Sequence, residues 1–139
     1  MNKLSVIPVI SFVLLLSVCN DSKSVSNDWH AGGLYSTADG QGQFSVVKIL
    51  VLEPNAVHVR VYKQRFSSRP TSIDPASLTL GQLDGKDSFS IGHLPLSRSS
   101  FASWAPVFIT QQPVSDDELE GYKMWKERKR PVVTVWTSP

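Results

Sequence analysis

The feature that most constrains this chain is the stretch "FSVVKILVLEPNAVHVRVYKQRF", residues 44 to 66. Its first half, Phe44 to Glu53, is apolar at nearly every position, the pattern of a strand covered on both faces. Val, Ile and Phe favour the pleated conformation because branched and ring side chains pack well on a sheet surface. Pro54 and Asn55 follow. Pro fixes φ near the value a turn needs, and Asn tolerates left-handed backbone. The second half, Ala56 to Phe66, alternates cleanly: Val57, Val59 and Val61 point one way, His58, Arg60 and Tyr62 the other. Two such runs joined by a short turn predict an antiparallel hairpin.

The rest of the chain reads around that hairpin. Its 139 residues suffice for one domain. At 41% apolar and 19% charged, it can build a packed core. A first short strand is expected over Gly32 to Thr37, followed by the turn cluster "ADGQGQ". Ser67 to Ser88 is broken by Pro70 and Pro75 and reads as loop, with Leu78, Leu80 and Leu83 marking a short strand at the core edge. Phe89 to Leu96 is a strand that Pro95 keeps from the middle of a sheet. A helical turn is expected after Ser97, and Pro106 to Val114 supplies another strand.

One clear helix is predicted from Ser115. "SDDE" is a capping box with Ser115 as cap and Glu118 three positions on, and Val114 and Leu119 occupy the staple positions. Leu119, Tyr122 and Trp125 should face the sheet. Arg128, Lys129 and Arg130 suit the negative helix end, and Pro131 stops it. Val132 to Trp136 reads as a final edge strand. The expected fold is mainly β: a small antiparallel sheet or partly open barrel with one C-terminal helix. The order "G-x-Y … F-x-V-V-K-I … V-H-V-R-V-Y" is similar to the opening strands of SH3- or Tudor-like barrels, a likeness of strand lengths that brings no ligand pocket.

The N-terminus predicts where the domain works. Met1 to Lys3 is short and basic, Leu4 to Val18 carries no charge, and a polar run follows Cys19. That is the layout of a secretory signal. The apolar stretch is shorter than the roughly 20 residues of a membrane span, and Pro8 interrupts it. Leu16, Ser17, Val18 and Cys19 resemble the lipobox of bacterial lipoproteins, with Val18 standing where that family has Gly, Ala or Ser. The resemblance implies a diacylglycerol on Cys19 and a membrane anchor facing the periplasm or cell exterior. Ordinary cleavage nearby is the alternative. The organisation expected is a signal peptide over 1–19, a Ser-rich linker over 20–28 and a single domain over 29–139. Cys19 is the only cysteine, so no internal disulfide staples the fold.

The chemistry-bearing residues are few. The formal charge of +2 falls to +1 if Lys3 leaves with the signal, which is no nucleic-acid signature. His30, His58 and His93 are scattered along the chain, and no hydrolase, zincin or Walker motif occurs. No metal or cofactor is expected. The candidate binding residues are His58, Arg60 and Tyr62, a base, a guanidinium and a phenol on one strand face, suited to a carboxylate or anionic sugar. The same alternation also describes the solvent side of an ordinary antiparallel strand. His93 is expected to tie down a loop backbone. Trp104, with Phe101 and Trp29, marks an aromatic-rich loop surface. The basic cluster of Lys123, Lys126, Arg128, Lys129 and Arg130 suits an anionic lipid or acidic partner, or simply the helix end.

The reading expected from sequence is a non-catalytic binding domain of the bacterial envelope, holding an envelope protein or wall polymer, with an inhibitor or immunity-type protein as one version. A small envelope hydrolase is the alternative, and a purely structural role is a third. An enzyme requires a concave pocket where titratable groups converge. A binding module requires an exposed apolar or aromatic patch.

Overall fold

A computed structural model describes residues 28–82 and 89–134 of the chain. Five strands form one antiparallel sheet: β1 (Gly33–Ala38), β2 (Phe44–Leu52), β3 (Ala56–Phe66), β4 (Ile91–Ser97) and β5 (Val107–Gln111). Their order across the sheet is β4-β3-β2-β1-β5. The predicted hairpin is the centre of this sheet, with β2 pairing β1 and β3 on its two sides. β4 and β5 stand at opposite edges, so the described residues form an open sheet rather than a closed barrel.

Two helices flank the sheet. α1 (Arg98–Ser103) begins where the Ser97 side chain accepts the Ser100 N–H, the cap that a Ser before a helical turn provides. α2 (Glu120–Glu127) follows a 3-10 turn over Asp117–Leu119. The helix therefore starts later than its capping box predicts. Only half of that box forms: the Glu118 carboxylate accepts the Ser115 N–H at 2.9 Å, and no side chain caps the first turn. The Ser115 hydroxyl turns to the Glu118 carboxylate rather than to a backbone N–H, and that carboxylate also reaches two cations on the sheet.

Other expectations are adjusted by the packing. Leu78 joins no strand but follows a 3-10 turn (Pro75–Ser77) and packs on the core, and Leu83 lies outside the described residues. The C-terminal strand is reduced to one parallel bridge, Val133 with Leu96 on the outer side of β4. Residues beyond 134, and the signal, Cys19 and all of the linker before Asp28, lie outside the described residues. No helix among the described residues is long and apolar enough to cross a membrane.

One sheet face carries an apolar core. Val57, Val59 and Val61 of β3 join Val47 and Ile49 of β2, Tyr35 of β1, and Leu94 and Leu96 of β4. Phe101 and Trp104 cover them, and Trp29 meets Phe101 edge-on at 4.7 Å. Trp104 is only 1% exposed, so the aromatic loop surface expected around it is part of this core and presents no binding face. Four register shifts interrupt the strand pairing, and two of them, bulges at Leu50 and at Gly92–His93, decide which residues reach the apolar core. Leu50 is an extra residue in β2, which brings Ile49 and Leu52, three apart, to the same face. Gly92 and His93 together oppose Arg60, which aligns Ile91 and Leu94 with the apolar core and leaves His93 on the other face.

Candidate functional site

That other face holds His58, Arg60 and Tyr62. It is not the solvent side of the strand. His58 is fully buried and Tyr62 is 8% exposed. The cover comes from the C-terminal segment and from the 67–82 loop, whose Ile73 and Leu78 pack near Leu34, Val46 and Tyr62. The alternation is genuine, but a second layer lies over the polar residues.

The first half of the site is a buried ion cluster. Lys48 of β2 and Arg60 of β3 are directly opposite in the hairpin register. Like charges in that position repel. Glu118, in the 3-10 turn before α2, answers both: its carboxylate lies 2.8 Å from Lys48 Nζ and 3.5 Å from Arg60 Nη1. Lys48 also donates to the Pro113 carbonyl at 2.7 Å, and Arg60 Nε to the Gly92 carbonyl at 3.3 Å. The Lys48 and Glu118 side chains keep only 6% and 12% of their exposure. Burial pushes the Glu118 carboxyl up, but the bonds from Lys48 and Ser115 and the charges of Lys48 and Arg60 more than offset this and hold it below its ordinary value. The Tyr62 hydroxyl is pushed up to about 12 by burial and by the Glu118 charge.

The second half is a histidine pair. Scattered in sequence, His58 and His93 stack with rings 8° apart, and His58 Nδ1 lies 3.0 Å from His93 Nε2. His58 Nε2 lies 3.6 Å from a Glu53 oxygen, just beyond hydrogen-bond reach, and has no other partner. The Glu53 carboxylate favours a proton on His58 Nε2, so His58 Nδ1 accepts and His93 Nε2 donates. Tyr122 of α2 donates to Glu53 at 2.8 Å and receives a bond from Lys126. The Tyr122 and Trp125 rings stand edge-on to His58 at 4.8 and 4.6 Å. Burial lowers both histidines, His93 to about 4, where the His58 charge adds to the effect. The Tyr122 bond holds Glu53 below the usual carboxylate range.

Beside this pair lies a hollow of about 240 Å³ lined by His93, Gly121, Met124, Trp125, Arg128 and Arg130. Its wall offers no hydroxyl, thiol or carboxylate that could serve as a nucleophile. Among the described residues no group of three or more His, Cys, Asp or Glu has a metal-holding arrangement. Sequence reasoning placed His58, Arg60 and Tyr62 together but missed Lys48, Glu118, Glu53 and His93. One signal was present: a lone Lys48 in a strand covered on both faces calls for a buried anion.

A different surface remains open. β5 is an edge strand of sequence "VFITQ" with no charge and no proline, and its outer side pairs with nothing among the described residues. Val107 and Phe108 on it are each 49% exposed. Phe108 leans on Tyr35 and His30, with ring centres 5.6 and 6.2 Å away. Natural edge strands are usually blunted by Lys, Pro or a covering element; the β4 edge has such a cover in Val133, bonded to Pro95 and Ser97. No family model, no curated protein and no solved structure matches the chain.

Proposed function

We propose that this is a non-catalytic binding domain, tethered at the bacterial envelope through Cys19, that holds a partner protein by adding one of its strands to the β5 edge. The observation that carries this reading is the contrast between that edge and the polar site. The titratable groups that converge are engaged with one another beneath the C-terminal segment: Glu118 with Lys48 and Arg60, Glu53 with Tyr122, and His58 with His93. The exposed large apolar side chains Val107 and Phe108 stand instead on an uncharged edge strand. Main-chain bonds along such an edge give affinity, and alternate side chains give selectivity. An inhibitor or immunity-type role fits this mode, because blocking a toxin or hydrolase needs a surface and no chemistry. The anchoring part of the reading rests on Leu16, Ser17 and Cys19.

Photo-crosslinking in cells tests the reading. A benzoylphenylalanine at position 108 should give one discrete protein adduct that Val107→Lys abolishes, while the same probe at Asp117 gives none. No adduct at 108, or the same adduct at both positions, overturns it. Cys19→Ser should release the chain from the membrane fraction; unchanged fractionation contradicts the lipid anchor.

A further inference from the structure

The hollow beside α2 shares His93 and Trp125 with the histidine pair and adds Gly121, Met124, Arg128 and Arg130, which neither that pair nor the ion cluster uses. Gly121 lets the helix approach β4 closely: a Cβ there would lie 2.6 Å from the His93 Cβ. Both residues line the hollow. Trp125 lines it as well, fixed by ring contact with His58 and by its indole N–H donating to the Pro131 carbonyl at 3.3 Å. Met124 stands at the wall and is 46% exposed, an apolar side chain that the sheet leaves uncovered.

The helix end then reverses. Lys129 adopts φ of 48°, the left-handed turn that commonly ends a helix, and the Arg130 N–H returns to the Trp125 carbonyl. This reversal brings Arg128 and Arg130 to one hollow. Neither guanidinium bonds or pairs with any described residue. The half-charge at a helix C-terminus is negative, but the three cations Arg128, Lys129 and Arg130 outnumber it. A cavity of about 240 Å³ is smaller than the roughly 300–1,000 Å³ of drug-sized sites, so its occupant is small.

We infer that this hollow binds a small organic carboxylate with an apolar body: the Trp125 and Met124 surfaces take the apolar part, and Arg128 and Arg130 the carboxylate. A guanidinium matches a carboxylate by paired, charge-assisted bonds, which an ammonium cannot reproduce. The site is separate from the β5 edge, so the two readings stand or fall independently.

The test uses 3-phenylpropionate against the uncharged 3-phenylpropanol, titrated into the full-length chain. The readouts are the Met124 methyl and the Trp125 indole N–H in NMR spectra. The acid should give saturable shifts at both signals and bind at least tenfold more tightly than the alcohol. Arg128→Gln with Arg130→Gln should remove that advantage and leave the alcohol unchanged, with the remaining spectrum reporting an intact fold. Arg128→Lys should recover only part of the affinity. Equal binding of acid and alcohol overturns the inference, as does acid binding that survives the double substitution. Binding to phosphatidylglycerol vesicles without saturable binding of the acid also overturns it, and assigns the cluster to a membrane surface.

Discussion

The two faces of the sheet are buried by different means. One is closed by hydrocarbon: Phe101 and Trp104 lie on a bed of Val, Ile and Leu, and every member of that cluster is nearly dry. The other is closed in part by a smaller apolar cluster of Leu34, Val46 and Tyr62 under Ile73 and Leu78, and in part by charge: Glu118 reaches onto Lys48 and Arg60, and Tyr122 and Trp125 enclose the histidine pair. Hydrophobic burial is non-directional and tolerates small changes of shape. A buried ion cluster is stable only when complete, because a charge left without its partner has lost its hydration for nothing. The apolar face holds the sheet together. The polar face sets where the C-terminal segment docks.

Substitutions can break this contrast, and the largest effect belongs to the apolar face. Phe101→Ala should cost about 3–5 kcal/mol, read as a shift of the urea midpoint, because the emptied site is walled by residues that cannot collapse into it. On the polar face, Glu118→Gln should cost about 3 kcal/mol, leaving Lys48 and Arg60 facing each other. The pair Lys48→Met with Glu118→Leu should recover part of that loss, since apolar groups of similar volume often replace a buried pair at little cost, while Arg60 still lacks its counter-ion. A double-mutant cycle measures this directly. A Glu118→Gln cost below about 0.5 kcal/mol would make the cluster equivalent to an exposed pair.

A smaller effect is set by pH. His58 and His93 are lowered in the folded chain, and the charged groups facing them are Glu53, Lys126 and, at the hollow, Arg128 and Arg130. Below the unperturbed value of about 6.5 the unfolded chain takes up protons that the folded chain refuses. The stability these rings contribute is therefore present above about 6.5 and lost as pH falls toward about 4, the folded value of His93. The loss should amount to roughly 2 kcal/mol, less than the whole shift would give because His93 keeps some solvent contact. Further down, the lowered Glu53 and Glu118 add a loss of the same sign. Urea midpoints at several pH values, with His93→Gln flattening the upper part of the curve, check the assignment. The smallest effect is expected at the β5 edge, where Val107→Lys should change stability by no more than about 0.5 kcal/mol while removing the crosslinked partner.

The sequence made the hairpin legible because nothing interrupts period two in Val57, Val59 and Val61. It made α1 legible through Ser97, and β4 as an edge strand through Pro95. It could not reveal the two bulges, since one extra residue at Leu50 or at Gly92–His93 is invisible in a hydropathy pattern. The bulge at Gly92–His93 decides which way His93 points, and so hid the histidine pair. His58, Arg60 and Tyr62 were correctly placed on one face, but alternation alone does not tell a solvated face from one covered by another layer. The capping box was legible at Ser115 and Glu118, while the second use of Glu118, as counter-ion to Lys48 and Arg60, depends on contacts 70 and 58 residues apart in the chain.

The central claim is that α2 seals the polar face of β3. The most direct measurement is an NMR titration of the Cε1 protons of His58 and His93. Held beneath α2, His93 should not titrate between about pH 8 and about pH 5, and His58 should titrate only below its unperturbed value, with both signals moving together with those of Tyr122 and Trp125 as the segment loosens. Either histidine titrating near the unperturbed value of about 6.5, with the Tyr122 and Trp125 signals unmoved, would contradict the account.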